Sequence, residues 1–244
     1  MKPEDICYYY GNSAYNQGLF DEAIISYKKA IEYEGSDADF YFNLGQSYYE
    51  NNNKEDALNC YLKVLEIEPN HTFIHYHLAL VFKDLNKKEE AVKNYLKAIE
   101  INPNHPLAHI NLGVILNALN KKEEAIECYK KAISIDPDNF SAHYNLGNVL
   151  KSQNKKLEAV NSYSWAIEID PINAAAFFNL GNVLDELNRK EEAVVVYKKV
   201  IEINPNKAFY YFNLGVVLVE LNRKQEAIKS YMKANWGKTQ FWIS

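Results

Sequence analysis

Asparagine recurs at intervals of 34 residues through much of this 244-residue chain. Asn111, Asn145, Asn179 and Asn213 form one series, and Asn43 stands in the same register upstream. A second series stands three residues further on and holds Asn12, Asn148 and Asn182. A carboxamide carries two N–H donors and a carbonyl acceptor. A row of them at fixed spacing can hydrogen-bond successive peptide groups of an extended chain, recognising main chain rather than side chains. Directly before the first series stand Tyr8, Phe42, Tyr76, Tyr144, Phe178 and Phe212. Such rings can stack on ligand side chains or pack between neighbouring elements. The chemistry offered is recognition. No Ser-His-Asp set, paired catalytic carboxylates or glycine-rich phosphate loop stands apart from the register, so no catalytic residue and no cofactor are expected.

The elements that position these amides follow from the same period. Tyr27, Tyr61, Tyr95, Tyr129, Tyr163, Tyr197 and Tyr231 keep the 34-residue spacing, as do seven alanines from Ala23 to Ala227 and five prolines from Pro69 to Pro205. Seven tandem repeats result: 4–37, 38–71, 72–105, 106–139, 140–173, 174–207 and 208–241. Each holds two runs with apolar residues at helical spacing, such as 107–119 and 123–135. Between the runs stands Asn52, Asn86, Asn120, Asn154, Asn188 or Asn222, with Gly18 in the first repeat. Both residue types tolerate the left-handed conformation that ends a helix. Proline closes the second helix. Glycine at the eighth position of six repeats lets the paired helices approach closely.

Segment 109–137, HINLGVILNALNKKEEAIECYKKAISIDP, resembles the tetratricopeptide repeat family, and the resemblance covers residues 4–241. It implies an all-α, right-handed superhelix of stacked helix–turn–helix pairs, a single solenoid domain with a tail at 242–244. It also implies a concave side, lined by first helices, that grips an extended peptide or a partner helix. The asparagine row is similar to the ladder in the repeat arm of the O-linked N-acetylglucosamine transferases. Chaperone-adaptor members hold a C-terminal carboxylate with basic residues. Here Asn12 and Asn43 match the clamp asparagines, but Tyr8, Phe73 and His77 occupy the basic positions, so chaperone C-termini are not expected ligands.

A helical wheel points repeat positions 2, 6, 9 and 13, flanked by 5 and 12, away from the repeat's own second helix and into the groove. The peptide-binding residues expected there are Asn43, Asn111, Asn145, Asn148, Asn179, Asn182 and Asn213, with Tyr144 and Phe178. At the same positions Asp5, Asp39, Glu50, Asp84, Asp185, Glu186 and Glu220 oppose only Lys83 and Lys151. A negative groove favours neutral or basic ligands. The chain as a whole has formal net charge −5 and a pI near 5.7, which argues against nucleic-acid binding.

His71 and His75, like His105 and His109, are spaced i, i+4, a zinc-compatible interval. Each first histidine falls in a turn between repeats. The register-mates His75, His109 and His143 would sit about 8–10 Å apart, too far for metal bonds of about 2.0–2.1 Å; these imidazoles are expected to pack, with mild pH sensitivity, and no metal is expected. Three cysteines cannot make a disulfide framework, and Cys60 and Cys128, at the same position two repeats apart, would be about 20 Å from one another, which fits a reducing compartment, cytoplasm or nucleus. Glu4 and Asp5 stand where a signal peptide would be basic and then apolar. After Ala234 the repeat pattern degenerates, and Trp236, Phe241 and Trp242 form an apolar tail, expected either to fold back over the last helix, to mark a fragment whose next repeat or domain is missing, or to self-associate. The function expected is a non-catalytic protein-binding scaffold. The alternatives are the substrate-selecting arm of a larger enzyme, such as a glycosyltransferase of the kind above, or a self-associating structural protein.

Overall fold

A computed structural model describes residues 2–33 and 37–239, with side chains described through Ala234. Every regular element among them is a helix: α1 (Pro3–Asn16), α2 (Phe20–Tyr33), α3 (Ala38–Glu50), α4 (Lys54–Ile67), α5 (Ile74–Asp84), α6 (Lys88–Ile101), α7 (Pro106–Ala118), α8 (Lys122–Ile135), α9 (Phe140–Ser152), α10 (Lys156–Ile169), α11 (Ala174–Glu186), α12 (Lys190–Ile203), α13 (Ala208–Glu220) and α14 (Lys224–Thr239). The chain forms two compact parts, Met1–Ile115 and Leu116–Ser244, with the boundary inside α7. Within each part helices pair in sequence order, α1 on α2, α3 on α4 and α5 on α6 in the first, α9 on α10, α11 on α12 and α13 on α14 in the second.

The turn inside each repeat is made by its asparagine. Asn52, Asn86, Asn120, Asn154, Asn188 and Asn222 all adopt φ between 58° and 61°, and Gly18 adopts 75°. This left-handed residue lets the next N–H reach back to a helix carbonyl, as Lys155 N does to Leu150 O at 2.9 Å. The second helices end two residues before the proline: α4 stops at Ile67 ahead of Pro69, and α12 at Ile203 ahead of Pro205. The first helices α9 and α11 are capped by side chains, Asn139 accepting from Ala142 N at 3.1 Å and Asn173 from Ala176 N at 3.2 Å, whereas α13 has no side-chain cap at Lys207.

The paired helices touch through one recurrent contact. A methyl group added at Gly147 would lie 2.7 Å from a ring carbon of Tyr163, and one at Gly181 2.7 Å from Tyr197. The glycine therefore leaves room for the tyrosine ring of the second helix, which is fully buried. Ala159 and Ala193, also fully buried, occupy the other small positions of these interfaces.

The degenerate stretch beyond Ala234 continues α14 as helical backbone to Thr239. Phe241 and Trp242, and the side chain of Trp236, lie outside the described residues. No helix among them is long and apolar enough to cross a membrane.

Candidate functional site

The buried tyrosines that fill the glycine niches also organise the asparagines. Tyr27, Tyr163 and Tyr197 donate their hydroxyls to Asn12, Asn148 and Asn182 Oδ1 at 2.6, 2.7 and 2.7 Å. Burial raises the proton affinity of all three hydroxyls, which keeps them donors. This corrects the wheel assignment of position 9. Its asparagines do not turn away from their own second helix; each is bound to it. The carbonyl oxygen is engaged, while the Nδ2 group of Asn182 makes no hydrogen bond among the described residues. Each of these residues is only half-buried.

Asparagines at position 6 reach to the preceding repeat instead. Asn43 Nδ2 donates to Tyr8 OH at 2.9 Å, Asn111 Nδ2 to Tyr76 OH at 3.3 Å, and Asn179 Nδ2 to Tyr144 OH at 3.2 Å. Asn179 Nδ2 also donates to Asn148 Oδ1 at 3.1 Å, which joins the two series in the second part. Asn213 Nδ2 turns back to the Phe209 carbonyl at 2.7 Å. Asn145 alone among the expected amides has no hydrogen-bond partner among the described residues.

The aromatic row packs against protein. Phe178 lies 5.1 Å from Phe209 and 5.3 Å from Tyr210, ring centre to ring centre, and 6.1 Å from Tyr197. Tyr144 lies 6.1 Å from Tyr163 and stacks at 5.5 Å on Phe140. Tyr144 and Phe178 are half-buried, each bridging to its own second helix. Phe212, in the last repeat, is exposed.

Repeats two and three interrupt the amide series with a histidine–aromatic stack. His77 occupies position 6 and contacts Phe42 at 4.9 Å, Tyr61 at 5.6 Å and Tyr76 at 5.6 Å. Burial, with His71 and His105 adding repulsion, pushes its pKa down to about 4. Burial also lowers that of His105, which lies 4.6 Å from Tyr76. Position 9 is Gln46 and Leu80 here, and the hydroxyls of Tyr61 and Tyr95 are buried without a partner. The packing histidines behave as read: His109 and His143 Nε2–H donate to the Pro103 and Pro137 carbonyls at 3.0 and 2.9 Å, and all three register-mates are buried. Among the described residues no group of His, Cys, Asp or Glu is arranged to hold a metal ion. Burial pushes the Cys60 thiol up to about 12 and the Cys128 thiol up to about 11.

Lysines from the first turns of second helices alter the groove charge. Lys156 and Lys151 bridge to Glu186 at 3.2 and 3.6 Å. Lys190 pairs with both Asp185 and Glu220, and hydrogen bonding to Asp185 first, then Glu220, holds it protonated. In the second part three acids thus meet three lysines. In the first part Asp84 meets Lys54 and Lys83 at 3.8 and 3.5 Å, while Asp39 and Glu50 pair with no lysine. The acidic excess read from positions 2, 5, 6, 9, 12 and 13 is therefore confined to Met1–Ile115.

Comparison with known proteins follows this geometry. Residues 11–52, 80–119, 115–154 and 147–188 match the family described as TPR repeat. Residues 38–71, 174–207 and 196–229 match the tetratricopeptide repeat. A search of curated proteins finds no match. Among solved structures, YrrB, described as a TPR protein with an unusual peptide-binding site, is 26% identical over 73% of this chain and 92% of its own, with TM-score 0.64. MamA is 24% identical over 68% of this chain and 98% of its own, with TM-score 0.65. PilF of Pseudomonas aeruginosa is 18% identical over 85% of this chain and 95% of its own, with TM-score 0.73. Repeats with left-handed asparagine turns, glycine–tyrosine contacts and this family match leave one conclusion: the chain belongs to the tetratricopeptide repeat family and has its all-α solenoid fold.

Proposed function

We propose that this protein is a non-catalytic scaffold that binds an extended, neutral-to-basic peptide segment along the face carrying its position-6 and position-9 asparagines. The observation that carries the reading is the tethering of those amides. A buried tyrosine fixes the oxygen of Asn148 and of Asn182, so that the remaining N–H groups are presented in one orientation, and a preorganised donor loses less freedom on binding. Asn145, without an internal partner, offers both donor and acceptor. The reading gains support from YrrB, whose description names a peptide-binding site. Asp39 and Glu50 supply the preference for basic residues; the second part, where acids and lysines balance, suits a neutral stretch.

The test is selection of binders from a random library of peptides about 15 residues long, followed by affinity measurement on Asn145→Ala and Asn182→Ala. Both substitutions are expected to weaken the selected peptides about tenfold or more, with unchanged circular dichroism. Peptides that bind both variants as tightly as the native chain would overturn the asparagine face as the site.

A further inference from the structure

An acid at position 13 of one repeat is met by a lysine at position 17 of the repeat before it. Lys54 bridges to Asp84 at 3.8 Å, Lys156 to Glu186 at 3.2 Å, and Lys190 pairs with Glu220. Lysine fills position 17 in six repeats, as Lys54, Lys88, Lys122, Lys156, Lys190 and Lys224. The first repeat carries Phe20 there, and the position-13 acid that follows it is Glu50. Of the four acids at position 13, Glu50 alone meets no lysine, and its side chain accepts no hydrogen bond among the described residues.

Aromatic rings stand where that lysine is missing. Phe20 lies edge-to-face with Tyr15, ring centres 5.6 Å apart. Burial and then the Glu50 charge raise the proton affinity of the Tyr15 hydroxyl, which sets this ring beside the carboxylate. At the next junction the corresponding Tyr49 donates to Asp84 at 2.7 Å, whereas Tyr15 makes no such bond among the described residues. Tyr61 is 1% exposed, and its hydroxyl has no hydrogen-bond partner. Burial raises its proton affinity as well, with Tyr15, Cys60, Tyr49 and Glu50 adding to the effect, so the hydroxyl faces the same cluster. Asn12, Asn148 and Asn182 hold the matching hydroxyls of other repeats from position 9. In the second repeat that position is Gln46, half-buried and without a hydrogen bond among the described residues. Gln46 and Glu50 stand one turn apart on one face of α3. A buried hydroxyl oxygen without a donor costs stability, and an arriving donor recovers it.

We propose that Glu50, Tyr15 and Phe20, with the buried hydroxyl of Tyr61, form a subsite for one lysine side chain of the bound peptide. The inference rests on the peptide-binding reading above and names one anchor within it. The peptide's lysine takes the place that Lys54, Lys156 and Lys190 take from inside the chain. Its ammonium group pairs with Glu50 and offers its other N–H groups to solvent and, once Gln46 turns aside, to the Tyr61 oxygen. Its stem lies along Phe20 and Tyr15, whose ring faces attract a cation. Charge complementarity selects this occupant. An acidic side chain is repelled by Glu50, and an apolar one leaves both the carboxylate and the hydroxyl unpaired. At the other acid-bearing junctions the protein's own lysine already fills the place, so the peptide has one such anchor.

The library selection described above, run on the native chain, Glu50→Gln and Phe20→Lys with each selected pool sequenced, tests it. Glu50 is exposed and Phe20→Lys installs the residue of six other repeats, so both variants should fold, and thermal melts check this. The native chain is expected to enrich lysine at one fixed position of the aligned peptides, and both variants to lose that enrichment. Asp39→Asn, which alters charge away from the subsite, is expected to keep it. In a peptide from the native pool, norleucine in place of that lysine should weaken binding to the native chain about threefold at low salt and leave binding to Glu50→Gln unchanged. Lysine scattered evenly over the selected peptides, or a fixed lysine that survives in both variants, would overturn the subsite. The asparagine face would still stand in that case, because Asn145→Ala and Asn182→Ala judge it separately. A native chain that selects no peptide would overturn both.

Discussion

The tyrosine at position 24 of each repeat performs two jobs, and the repeats divide on the second. Its ring fills the space beside a glycine in repeats one, two, five, six and seven, while Ala79 holds that position in the third, so Gly181→Ala forces a methyl group into the Tyr197 ring and is expected to destabilise by about 1–3 kcal/mol in urea unfolding. Its hydroxyl has an asparagine partner in some repeats only. Tyr197→Phe leaves Asn182 Oδ1 without its donor and should cost about 1 kcal/mol. Tyr61→Phe and Tyr95→Phe remove hydroxyls that are buried and unpartnered, and are expected to be neutral or stabilising. The same substitution thus changes sign along the chain. His77 adds a pH term. Its folded pKa is depressed to about 4 from an ordinary 6.5, so below that ordinary value the unfolded chain takes up a proton that the fold refuses. The stabilisation is complete above pH 6.5 and is lost as pH falls toward 4. Between pH 8 and pH 5 this group should lower stability by about 2 kcal/mol, and His77→Asn should flatten that slope in urea midpoints.

At the scale of the element, the turn asparagines control where one helix stops and the next begins. Asn188 sits at φ 59°, where a β-carbon is tolerated poorly. Asn188→Ala is expected to cost about 1 kcal/mol and Asn188→Gly close to nothing, read from thermal melts of the two variants. These turns were legible because each asparagine separates two apolar-periodic runs, and the period repeats seven times. Side-chain direction at position 9 was not. A helical wheel treats a helix as an isolated cylinder, while the Tyr163 side chain crosses over Gly147 and captures Asn148 from outside that cylinder. The groove charge was misread for a related reason. Lys156 and Lys190 belong to second helices, yet they reach Glu186 and Glu220 on the first helix that follows, a contact no single-helix projection contains.

Over the whole chain, the distribution of paired and unpaired acids sets where salt acts. A lysine-rich peptide on the proposed face should respond to Asp39→Asn and Glu50→Gln, each weakening binding about two- to threefold at low salt and little at high salt. Glu186→Gln, by contrast, releases Lys151 and Lys156 and should repel the same peptide through an excess of positive charge. Fluorescence anisotropy across a salt series separates the two behaviours; equal salt slopes for all three variants would contradict the assignment.

The buried thiol of Cys60 turns the first part of the molecule into its own clock. Cys60 lies in Met1–Ile115 and Cys128 in Leu116–Ser244, one in each compact part. With the thiols pushed up to about 12 and about 11, almost no thiolate exists at neutral pH while either part stays closed. Alkylation of buried Cys60 by a maleimide therefore has to wait for an opening event and times the breathing of its part, whereas half-exposed Cys128 can be reached without one. With Cys7 replaced by serine, mass spectrometry of a single labelling reaction would yield that opening rate beside the half-exposed Cys128 as a reference, without a tag, a probe or a truncation.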